Sequence, residues 1–184
     1  MAGRVEGAGA FNGFWEVTFM SLLVHELIHI LLATLAGFVV YKIWGKLFAS
    51  LLTALIGGVL IDLDHLIDYY IAFGFKFRLN YFLSGFEFLK NEKIYEFFHA
   101  WEWVVLFILL ILFFKNRTAK SIFLALALGV LLHLAVDMSE NGVSFMGYSF
   151  LNRLSLNFSI SEIISNENYQ RFLRDQELYK SLYK

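Results

Sequence analysis

Five histidines stand among acids at recurrent spacing: His25-Glu26-Leu27-Ile28-His29, Asp62-Leu63-Asp64-His65-Leu66-Ile67-Asp68, His99-Ala100-Trp101-Glu102 and His133-Leu134-Ala135-Val136-Asp137. Residues three or four apart share a helix face, so His25 with His29, Asp64 with Asp68, His65 with Asp68, His99 with Glu102 and His133 with Asp137 are face partners if these stretches are helical. On a helical wheel Asp64, Asp68, His65 and Asp62 fall in that order within an arc of roughly 160°. Imidazole and carboxylate are ligands for zinc, manganese or iron, and cysteine is absent, so thiolate sites, cysteine nucleophiles and disulfides are excluded. The chemistry this predicts is one or two divalent ions, zinc foremost, with His25, His29, Asp62, Asp64, His65, Asp68, His99, His133 and Asp137 as the ligand pool. Glu26 and Glu102 are the candidate bases or additional ligands.

The elements that must carry these residues are strongly apolar. Of 184 residues, 59% are hydrophobic and 17% charged, against roughly 45–50% and 25% in soluble domains. The excess points to lipid, and an all-α polytopic membrane protein is the expected fold. Four spans are predicted, at about 16–41, 47–73, 97–114 and 119–138, each near the ~20 residues a transmembrane helix needs. Proline is absent, so segment ends are read from glycine and charge. The organisation expected is an N-terminal tail over 1–15, a four-helix domain over 16–141 and a C-terminal surface appendage over 142–184 ending in a charged helix. The 75–96 stretch, aromatic and charged by turns, is expected to lie in the interface. The connections 42–46 and 115–120 hold five basic residues and no acid, which places them in the cytoplasm and the protein in the cell membrane. A net charge of −1 gives no footprint for nucleic acid.

Because successive spans alternate direction, the polar groups near the starts of spans one and three and the ends of spans two and four all approach one membrane face. Six acids (Glu26, Asp62, Asp64, Asp68, Glu102, Asp137) ionised at membrane depth would cost roughly 15–20 kcal/mol in sum. Inside the predicted spans the one lysine or arginine, Lys120, stands at the opposite end of the fourth from its acid, so protonation, water or bound cations must offset this. A single histidine or carboxylate in a membrane helix is by default a hydrogen-bonded packing residue, but four clusters at matched depth predict a shared site.

At these residues the chain resembles the membrane-bound metal-dependent hydrolase family typified by the YdjM-type inner-membrane proteins. The likeness rests on His29 before a small-residue helix, Asp62, Asp64 and His65 as an Asp-x-Asp-His end of helix two, His99 before Ala100, and His133 with Asp137 as His-x-x-x-Asp, and it covers roughly residues 25–142. Ile61 stands where the family has proline, and Ile94 where it has a first histidine, a gap that Glu102 would fill. The resemblance implies hydrolysis. A more distant similarity to zinc-dependent phospholipase C and P1-type nucleases implies phosphoester substrates, by analogy.

The leading expectation is a membrane-embedded hydrolase in which metal-activated water attacks a membrane-associated, lipid-like or anionic substrate. Lys76, Arg78, Lys90 and Lys93 would sit over the opening or serve as plain interfacial anchors. Two alternatives compete. His25-Glu26-x-x-His29 matches the helical zinc-protease signature, which leaves the other clusters without a task. A divalent-cation transporter also needs intramembrane carboxylates, yet beyond the polar clusters the stretches 30–40, 48–60, 104–113 and 122–132 offer only Thr34, Ser50 and Thr53 as polar groups.

Overall fold

The computed structural model describes the backbone of residues 8–141 and 143–182 and the side chains of 22–141 and 143–181. It is all-helical, with no strand among the described residues and two isolated bridges, Lys93 with Ser159 and Val143 with Ile164. Helix α1 runs Ala8–Trp44, so helix begins ahead of the expected first span, and residues 1–7 of the expected tail lie outside the described residues. Then come α2 (Leu47–Gly58), a 3-10 turn (Leu60–Asp64), α3 (His65–Phe73), the short α4 (Leu79–Phe82) and α5 (Phe86–Asn91), α6 (Trp101–Phe113) and α7 (Arg117–Asn141). A second 3-10 turn (Phe145–Tyr148), α8 (Phe150–Ser155), α9 (Ile160–Ile163) and α10 (Asn166–Leu182) complete the chain.

Four uninterrupted spans are not what forms. Two helices are long and apolar enough to cross a membrane, Leu22–Trp44 within α1 and α7, and a third span exists if α2 and the 60–73 helix, bent by 46° at their junction, count as one. Helix α6 has 13 residues, about 20 Å at 1.5 Å per residue, short of the ~30 Å of hydrocarbon. Its start is delayed because the chain before it is spoken for: the backbone N–H groups of Tyr95 and Glu96 donate to Asp68, and that of Phe98 donates to Asp64. An amide bound to a carboxylate across the bundle cannot also close a helical turn.

Helix α7 packs against α1, α2 and α6, and small residues let the backbones meet. A Cβ on Gly129 of α7 would stand 2.5 Å from the Ala54 carbonyl oxygen, and one on Gly58 of α2 would stand 2.8 Å from Ala33 Cβ. Ala36, Val40, Ala54 and Ala125 form one buried core here, as small-residue interfaces do in membrane bundles. The Ser50 and Ser121 hydroxyls, 2.7 Å apart, close it. A second core of Ile61, Val104, Val130, Leu134 and Tyr148 lies beside the polar end.

The 75–96 stretch folds as α4 and α5 around buried Tyr69, whose ring meets Phe73, Phe77 and Phe82. The C-terminal segment does more than cover a surface: Arg153, Ile160, Ile163 and Gln176 are buried, and Gln176 donates to Leu89 O and Glu92.

Candidate metal centre

Each donor is placed by a distinct local device. On α1, four-residue spacing stacks His25 and His29, with their Nε2 atoms 2.8 Å apart. On α7 the same spacing puts His133 Nε2 3.0 Å from Asp137 Oδ2. The 3-10 turn after α2 eclipses residues three apart, so Asp62 and His65 face together, 3.7 Å between Oδ1 and Nε2. His99 sits outside any helix, in the irregular chain held by Asp64 and Asp68.

Three groups of donors result, each with its ligand atoms within 4.8 Å of one another: His25, His29 and Asp137; His99, His133 and Asp137; and Asp62, His65 and His99. Each could hold a metal ion. Asp137 joins the first two. Its Oδ1 lies 3.4 Å from His25 Nε2 and 3.3 Å from His29 Nε2, while its Oδ2 lies 3.0 Å from His133 Nε2 and 3.6 Å from His99 Nε2. Asp62 Oδ1 is 3.2 Å from His99 Nε2 and 3.4 Å from His133 Nε2.

The outer nitrogens fix how the rings present themselves. His133 Nδ1 meets the Gly58 carbonyl oxygen at 3.2 Å, a group that only accepts, so Nδ1 carries the hydrogen. His25 Nδ1 faces Glu140 at 2.8 Å, giving the same assignment, whereas His99 bonds through Nε2, 3.2 Å from Asp62 Oδ1, and its Nδ1 has no hydrogen-bond partner. In the neutral rings of His25 and His133, Nε2 then offers a lone pair inward. His99 Nε2 and His133 Nε2 are 3.0 Å apart, a spacing that either a shared proton or a shared cation satisfies. Asp62 Oδ2 and Asp137 Oδ1 are buried without a hydrogen-bond partner, and a buried oxygen left so costs about 1–3 kcal/mol. Nitrogen and carboxylate donors, with the outer nitrogens of His25 and His133 hydrogen-bonded, fit a divalent ion.

Several expected site residues have other duties. Asp68 commits both carboxylate oxygens to backbone N–H groups and holds the chain before His99, so it anchors the loop and belongs to none of the three donor groups. Asp64 supports His99 from behind, with its other oxygen on Phe98 N–H. Glu102 accepts from the Ser149 hydroxyl and from the N–H groups of Phe150 and Leu151. It caps the start of α8, whose free amides favour an anion, and does not stand in for a missing ligand or base. Glu26 is half-buried in a cleft that also exposes His25, Asp62 and His65. Three of the four basic residues expected over the opening are engaged elsewhere: Lys90 donates to Ala72 O, Lys93 to Asn157 and Arg78 to Tyr81.

Three participants are absent from the sequence-based ligand pool. Glu140 orients His25 and was findable, lying three residues beyond Asp137 on the same helical face. Glu96, 3.6 Å from His65 Nδ1, stands three before His99. Arg153 had no local signal. It is fully buried and donates to three carbonyl oxygens, Glu96, His99 and Gly147, at 2.7–2.9 Å. Burial pulls its pKa down, while Glu96, Asp64, Glu102 and Asp68 act in the opposite sense. The cation missing from the polar ends of the spans thus arrives from the C-terminal segment.

No family model, curated protein or solved structure matches this chain.

Proposed function

We propose that the protein is a membrane-embedded metal-dependent hydrolase acting on a membrane-associated substrate, with a lipid phosphoester as the favoured class. The observation that carries this is the division of one carboxylate between two histidine sets: Asp137 Oδ1 faces His25 and His29, and Oδ2 faces His99 and His133. His25, His29 and Asp137 would hold one divalent ion and His99, His133 and Asp137 a second, with Asp62 and His65 beside them; zinc suits the donors best, manganese or iron next. The chemistry such ions supply is Lewis acidity, which makes water a nucleophile near neutral pH and offsets charge developing on a cleaved ester. Glu140 and the Gly58 carbonyl keep His25 and His133 in the tautomer that ligation needs, and Asp64 stands behind His99. Glu26, in the adjoining cleft, is placed to accept a proton as water is consumed.

The topology that accompanies this reading has α1, the bent α2–α3 pair and α7 crossing the cell membrane, a fourth crossing made by α6 together with the irregular chain at 97–100 before it, and 42–46 and 115–120 in the cytoplasm. Tight packing around Ala54, Ala125 and Gly129 favours a blind site over a transport path. The deciding experiment is metal analysis of the purified full chain beside release of phosphate from phospholipid vesicles and zinc or manganese flux into proteoliposomes. Bound zinc with phosphate release and no flux is expected. A metal-free protein, or flux without hydrolysis, defeats the proposal.

A further inference from the structure

The donor groups look onto two cavities. One, of about 350 Å³, is roofed by the C-terminal segment through Tyr148, Ile160 and Ile163. The other, of about 520 Å³, lies between α1 and the α3–α5 region, and both include His25, Asp62 and His65 in their walls. The larger cleft has three chemically distinct parts. Its inner end is the His25, Asp62 and His65 surface. Its apolar wall includes Leu23, Leu60 and Leu63, whose side chains are also exposed on the outside of the bundle. That is the surface a spanning chain presents to lipid. Its remaining polar wall is Glu26 and Glu87, and among the described residues the lining contains no lysine or arginine.

Glu87 is the unexplained member. It is 2% exposed, yet its Oε2 has no hydrogen-bond partner. Burial pushes its carboxyl up to about 8, with the carboxylates of Asp68 and Glu96 adding to the shift. A buried carboxyl without a partner is costly unless something polar from outside completes it. A cation beside it would draw Glu87 back to its ionised form and give Oε2 the partner it lacks, a charge that no lysine or arginine of the lining can supply.

We propose that this cleft is the substrate subsite for an amphiphile with an ammonium headgroup, admitted sideways from the bilayer. The chain lies along Leu23, Leu60 and Leu63, the ammonium meets Glu87, and the anionic ester faces His25, Asp62 and His65, which leaves Glu26 free as the base. This rests on the hydrolase reading and narrows it to a zwitterionic lipid.

The test uses the full chain in detergent micelles, titrated with phosphatidylethanolamine, phosphatidylglycerol or phosphatidic acid of identical acyl chains and read by native mass spectrometry, with bound zinc measured in parallel. The expected result is roughly tenfold tighter binding of phosphatidylethanolamine than of the other two, equivalent to about 1.4 kcal/mol. Glu87→Gln, nearly isosteric, should erase that preference without changing zinc content. Leu63→Trp, at an exposed position, should weaken all three lipids by filling the cleft. Equal binding of the three lipids by the unaltered chain, or a preference that survives Glu87→Gln, overturns the subsite. If the preference holds but neither zinc nor hydrolysis is found, the cleft stands as a lipid site and the enzymatic reading falls. Zinc and hydrolysis without a lipid preference leave the enzyme standing and remove the ammonium subsite.

Discussion

The end of the bundle around Val40, Ser50 and Ser121 and the end around His29, Asp62 and His133 are built on the same helices by opposite means. At the first, helices are regular, side chains are small, and one hydroxyl pair at 2.7 Å is the polar contact that joins α2 to α7. At the second, α2 breaks after Gly58, the chain before α6 stays irregular, and carboxylates take backbone N–H groups that a helix would otherwise use. The packed end thus supplies a fixed frame, and the broken end gives up helical hydrogen bonds in order to aim donors. Regular helices alone would leave His99 without its support from Asp64, and His133 without the freed Gly58 carbonyl.

Changes at the two ends should therefore separate cleanly. The largest effect is expected from Asp137→Ala, which removes the shared carboxylate: metal content should fall by more than about 100-fold in affinity, beyond the upper end of what supporting-shell changes cost, and hydrolysis should reach background. Elemental analysis of the purified variant checks it, and retained stoichiometry would dissolve the contrast between the ends. Next comes Arg153→Leu, which strands three buried carbonyls at about 1–3 kcal/mol each. Thermal unfolding in detergent should move down sharply, and the fraction still folded should lose metal, since His99 is no longer held.

Gly129→Ala probes the packed end. Its new Cβ would stand 2.5 Å from the Ala54 carbonyl oxygen, and overpacking costs about 1–3 kcal/mol. Folded material should keep its full metal complement, as measured on the monodisperse fraction, and metal loss there would show the ends to be coupled. The smallest effect belongs to Ser50→Ala, about 0.6 kcal/mol for an interhelical hydrogen bond in a membrane protein. Its reading is a slight fall in the unfolding midpoint with unchanged activity.

The convergence of polar clusters was legible because it follows from four apolar stretches alternating in direction and from four-residue spacing on α1 and α7. The break after Gly58 was not, since no proline marks it; close approach to Gly129 sets the local packing there. Asp68 and Glu102 have the composition of ligands, and only their partners, at 27 to 49 residues' separation, show that they serve backbone amides. Local pattern carries no information about such distant pairings. The same holds for Glu87, whose significance comes from burial without a partner rather than from any motif.

Arg153 fastens Glu96 and His99 across 57 and 54 residues of chain. Synthesis runs from the N-terminus, so every helix that bears a donor leaves the ribosome before the clasp that seats His99 exists. A nascent chain halted before that point has its hydrophobic columns and lacks a finished pocket. Maturation of the centre thereby waits on chain made after the last donor-bearing helix, with the later guanidinium acting as the latch.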